Sequence, residues 1–68
     1  MELHEITKVL LDDHGYSQKR LADAIKATGV RCSQPTIWRI LNVPGFDPVY
    51  SVGEAIKRIY AEKQDVAA

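Results

Sequence analysis

The sequence predicts an all-α domain of four to five short helices. Three observations lead there: apolar residues recur at three- and four-residue steps in four segments, those segments are bounded by Gly, Pro or a capping Ser, and no stretch alternates apolar and polar residues beside a hairpin turn. At 68 residues the chain is one domain, residues 1–68, near the size below which an apolar core needs a disulfide, metal or partner. Hydrophobic residues at 46% and charged residues at 26% exclude a disordered or fibrous chain.

The first helix runs from Glu2 to about Asp13, with Leu3, Ile6, Val9 and Leu10 on one face, and Gly15 ends it. Ser17 then caps a second helix whose inward stripe is Leu21, Ala22 and Ile25, and which stops near Gly29. After the turn "TGVRC", Ser33 caps a third helix that reaches about Asn42. Pro35 falls in its first turn, where a missing N–H costs little. The segment "NVPGFDP", with two prolines and a glycine, is a loop ordered by Phe46 folding inward. Ser51 and Glu54 have capping-box spacing ahead of a last helix with Val52, Ala55, Ile56, Ile59 and Tyr60 inward, and residues 64–68 are expected to fray. The expected core is Leu10, Leu21, Ile25, Ile37, Ile40, Leu41, Ile56 and Ile59.

Net charge is zero, but it is segregated along the chain. Residues 17–42 carry Lys19, Arg20, Lys26, Arg31 and Arg39 against Asp23 alone, a net +4, whereas residues 1–16 carry −3 and residues 43–68 carry −1. Such a field orients a polyanion even when the total vanishes. Within the same segment the third helix has an unusual outer face. With Ile37 at zero and about 100° per residue, Ile40 and Leu41 share the core side, while Trp38 lies near about 100° and Arg39 near about 200°. Gln34 and Thr36 sit in the first turn, whose free N–H groups favour a phosphate. A Gln amide pairs with adenine N6 and N7, and an Arg fork with guanine O6 and N7. A short basic helix, a Gly-containing turn and a second helix with a polar outward N-terminus form the helix-turn-helix pattern.

These residues resemble the Cro and phage-repressor type of helix-turn-helix proteins, also called the xenobiotic response element family. The matching stretches are "SQKRLA" from Ser17, "GVRCS" from Gly29 and "QPTIWRI" from Gln34, so the core of the motif covers residues 17–42. The resemblance implies a lambda repressor-like fold in which Gln18 contacts phosphate and braces Gln34, in which Gln34, Pro35, Trp38 and Arg39 face bases, and in which Ser33 and Asn42 hold phosphates. The reading of the residues themselves adds Thr36 to the base-facing set and Lys19 and Arg31 to the phosphate contacts. Two departures stand out. The stretch "IKATGVRC" makes the interval from Leu21 to Ile37 longer than the family's, through a longer second helix or an enlarged turn, and Trp38 stands where a small or polar residue is usual.

The expected function is sequence-specific binding of double-stranded DNA, as a repressor of phage or mobile-element type that occupies its operator. One such module contacts few base pairs, so two copies on a palindromic site spaced by about 34 Å are expected. Phe46, Val49, Tyr50 and Tyr60 are the candidates for the homodimer interface. The same chemistry would serve an antitoxin-like or accessory regulator, and Trp38 with Tyr50 would suit a small protein-binding module. No catalytic residue, cofactor, metal or small-molecule substrate is expected, since carboxylates are scattered and no nucleophile constellation or Gly-rich phosphate loop is present. Cys32 is alone, read as a small turn residue, and neither a signal peptide nor an apolar membrane span is visible, so a cytoplasmic protein is expected.

Overall fold

The computed structural model describes residues 2–67 in backbone and 2–64 in side chains. Four helices account for the regular structure of those residues: α1 (Leu3–Asp12), α2 (Gln18–Ala27), α3 (Gln34–Asn42) and α4 (Tyr50–Ala67). The chain is all-α, and no fifth helix forms among the described residues. Helix α1 packs on α3 and α4, and α2 packs on the same two helices, so the core lies where all four meet. Leu10, Leu21, Ile25, Ile37 and Ile56 have no exposed surface, and Ile40 and Ile59 are buried beside them. Leu41 is only partly buried and packs on the margin. Val52 and Ala55, placed inward by their spacing, also join the core, as do Ile6 and Cys32. Thr7 is buried as well, which its hydroxyl permits by donating to the Leu3 carbonyl at 2.8 Å.

Turn chemistry explains where the helices stop. Gly15, at φ 76°, takes the left-handed conformation that side chains disfavour, and the reversed chain returns the Tyr16 N–H to the Leu10 carbonyl at 3.2 Å. Ser17 caps α2 by accepting the Arg20 N–H at 3.1 Å. At the far end Thr28 donates its hydroxyl to the Ile25 carbonyl at 2.6 Å, and Gly29 follows at φ 91°. The connection from Thr28 to Ser33 has six residues, against three to four in a compact helix-turn-helix. The extra length between Leu21 and Ile37 therefore enlarges the turn.

Two sequence expectations about helix ends are corrected. Ser33 occupies the N-cap position of α3, yet its side chain makes no cap bond and instead shares a hydrogen bond with the Thr36 hydroxyl at 3.2 Å. Its backbone carbonyl accepts from the Thr36 and Ile37 N–H groups. Ser51 is not the cap of α4. The helix begins at Tyr50, and the Val49 carbonyl accepts from the Val52 and Gly53 N–H groups, so Ser51 lies inside the first turn. Helix α4 is assigned through Ala67, and Ala68 lies outside the described residues. Phe46 folds toward the core as expected, held where its N–H bonds the Val43 carbonyl at 3.1 Å. Near the end of α4 the Lys63 ammonium lies 5.5 Å from the centre of the Tyr16 ring, a cation–π contact that ties α4 to the turn after α1.

Candidate nucleic-acid interface

The roll of α3 is set by Ile37 and Ile40, which are both buried. With those two inward, helical geometry sends Pro35, Trp38, Arg39 and Asn42 outward, and Gln34, flanking the core stripe in the first turn, is exposed with them. Trp38 keeps 49% of its surface open, so it does not pack inward. Thr36 is half-buried and turned to Ser33. Asn42 folds back, its amide donating to the Trp38 carbonyl at 2.9 Å, which leaves its oxygen and one N–H for another group. His4 on α1 reaches the Ile40 carbonyl at 3.3 Å and steadies the end of α3.

Two residues sixteen apart in sequence meet at the opposite end. The Gln34 amide donates to the Gln18 side-chain oxygen at 3.1 Å, joining the first turn of α3 to the first turn of α2. Gln34 is exposed and keeps its second N–H and its own oxygen, a donor and an acceptor without a partner among the described residues. Pro35 at the start of α3 presets its backbone angle and stiffens the turn that carries Gln34.

The cations of residues 17–42 are uncompensated among the described residues. Lys19, Arg20, Lys26, Arg31 and Arg39 are exposed, and none has an ion-pair partner among the described residues. In particular Arg39 pairs with neither Asp23 nor Asp47. Lys26, Arg31, Ser33 and Thr36 line one open groove of about 630 Å³ beside the enlarged turn. Lys26 was absent from the sequence-derived phosphate set, although its seven-residue spacing from Lys19 puts both on one face of α2. The dimer candidates divide: Phe46 and Tyr60 are partly buried against the core, whereas Val49 is 67% and Tyr50 82% exposed.

Cys32 sits in the wall of that groove but turns its side chain inward, with 7% exposed. Burial raises its thiol above the ordinary range, opposed in part by the Lys26 charge and by a hydrogen bond to the Ser33 backbone. The unfolded thiol titrates near about 8.5, so the neutral form's contribution to stability is complete below that pH and is lost as pH rises through the higher folded value. Denaturant midpoints are expected to fall between about pH 8 and pH 10, less so in Cys32→Ala, and the native thiol is expected to alkylate more slowly than the unfolded one. Equal pH dependence in the two proteins would show that Cys32 contributes nothing to it.

Among the described residues no three His, Cys, Asp or Glu side chains converge as a metal site would require, and no helix is long and apolar enough to cross a membrane. No protein family model, curated protein or solved structure matches this chain.

Proposed function

We propose that this chain is a cytoplasmic, sequence-specific binder of double-stranded DNA, a regulator that represses by occupying its operator. In this reading α2 and α3 form a helix-turn-helix with the outward face of α3 in the major groove. The observation that carries it is the hydrogen bond from Gln34 to Gln18. It is the brace that the resemblance to the Cro and phage-repressor proteins implies, and it holds the one remaining Gln34 N–H and the Gln34 oxygen in the arrangement that adenine N7 and N6 complement. Arg39, five residues further along α3 and without an acidic partner among the described residues, supplies the fork that guanine O6 and N7 accept.

The remaining contacts divide by chemistry. Lys19, Lys26 and Arg31 neutralise phosphates, and Gln18, Ser33 and Asn42 hydrogen-bond them, fixing register without reading sequence. Thr36, committed to Ser33 and half-buried, takes part at the groove edge only. Trp38 and Pro35 present apolar surface suited to thymine methyl groups and sugar. The whole is a binding protein rather than an enzyme, and two copies on a palindromic site provide the base pairs that one copy lacks.

Selection of bound duplexes from a random pool at two salt concentrations tests the reading. The expected product is a palindromic consensus with half-sites about 10 base pairs apart, and affinity that falls steeply as salt rises. Absence of enrichment at any salt would overturn it and make the exposed Trp38 a protein contact instead.

A further inference from the structure

The last turn of α3 ends on a shortage of backbone donors. Inside a helix the Ile40 carbonyl would accept from the residue four further on, but that residue is Pro44, which has no N–H. Val43, three further on, gives its N–H to the Arg39 carbonyl at 2.9 Å and leaves the helix in an extended conformation, φ −105° and ψ 107°. Ile40 is buried, so an unpaired carbonyl there would be costly. The missing donor comes from another helix. His4, in the first turn of α1 and 36 residues away in sequence, donates from its ring Nδ1 to the Ile40 carbonyl at 3.3 Å. The ring is otherwise exposed, lining an open groove of about 330 Å³ with Asn42, Val43 and Pro44, so it acts on α3 through this bond rather than by packing.

We propose that His4 is a positioning residue for base recognition, a role that rests on the DNA-binding reading: by closing the last turn of α3 it holds Arg39 at the angle its base pair requires. Three successive carbonyls of that turn, at Trp38, Arg39 and Ile40, accept from the Asn42 side chain, the Val43 N–H and His4 in that order. Only the third donor belongs to a different helix. Helix α1 is itself fixed by Ile6 and Leu10, both buried in the core, so His4 ties the end of α3 to the body of the molecule. At the other end Gln18 of α2 accepts from Gln34 in a comparable brace. The two base-reading ends of α3 are therefore set separately, Gln34 from α2 and Arg39 from α1. Without the His4 bond the turn that carries Arg39 unwinds first, while Gln34, five residues earlier, stays braced. An arginine freed in this way still attracts phosphate but loses the fixed approach that a two-pronged bond to guanine demands.

His4→Ala and His4→Asn separate this role from a merely structural one. Alanine removes the donor while favouring helix, and asparagine puts an amide nitrogen where Nδ1 stands, attached through Cγ in the same way. Amide hydrogen exchange of the free chain, followed by NMR, tests the brace without DNA. The Val43 amide is expected to exchange roughly tenfold faster in His4→Ala and at its original rate in His4→Asn, with the Leu21 amide of α2 unchanged in both. Titrations against the selected consensus and each single-base substitution of it test the reading. His4→Ala is expected to bind the consensus roughly tenfold more weakly, with the loss confined to the base pair that Arg39→Ala relaxes and the salt slope unchanged. His4→Asn restores the preference, and His4→Ala adds no loss to Arg39→Ala, as expected of a residue that acts through Arg39. Unaltered Val43 exchange in His4→Ala, a loss spread over every base pair, a salt slope reduced by about one unit, or a His4→Asn chain no better than His4→Ala would each overturn the proposal and leave the DNA-binding reading standing. No enrichment of any duplex by the unaltered chain overturns that reading and this role with it.

Discussion

Leu21→Ala is expected to leave the chain largely unfolded at room temperature. Leu21 has no exposed surface and belongs to α2, which packs on both α3 and α4. Truncating a buried leucine costs about 2–5 kcal/mol through lost transfer energy and the cavity left behind. A core of this size rarely supplies more than roughly 3–5 kcal/mol in total, so the substitution consumes most of the margin. Thermal melting followed by helical circular dichroism measures it directly. The control is Trp38→Ala, a large residue half open to solvent, expected to cost less than about 1 kcal/mol. If the two variants melted together, Trp38 would have to be packed inward after all.

Arg39→Ala and Lys19→Ala are expected to weaken DNA binding in different ways. Arg39, as a base reader, should cost roughly 1–3 kcal/mol on the selected site and relax the preference at a single base pair. Lys19 lies outside α3 near the start of α2, and as a phosphate contact its loss should weaken all sequences alike while reducing the salt slope by about one unit. Binding titrations of both variants against the consensus and against each single-base substitution of it provide the comparison. Equal losses across all sequences in both variants would remove Arg39 from the base-reading set.

Much of the fold was legible because helix period and turn residues agree locally. The phase of α3 shows this best: placing Ile37 and Ile40 inward was enough to send Pro35, Trp38 and Arg39 outward. The helix ends were read less well, and the three serines show why. All three have capping chemistry, but a cap forms only if the incoming chain aims the hydroxyl at the first turn. Ser17 follows the tight Gly15 turn and does so. Ser33 follows a six-residue connection and spends its hydroxyl on Thr36. Ser51 was overtaken when the loop behind the inward-folded Phe46 delivered the chain into a helix at Tyr50. Those approach directions arise from packing between distant segments, which spacing in one segment does not encode. The Gln18–Gln34 contact was legible only through family resemblance, since sixteen residues and an enlarged turn separate its ends. Lys26 lay within reach of helical spacing alone, and the sign that finds it is the seven-residue interval from Lys19.

The pairing of α1 with α4 bears on how the molecule is made. Thirty-seven residues lie between these helices, and at about 5–20 residues per second a ribosome takes roughly 2–7 seconds to deliver them. Throughout that interval Ile6 and Leu10 of the nascent chain have no α4 against which to close. Assembly of this four-helix unit therefore waits on α4, with its earliest apolar surface open to chaperones until that helix has been made.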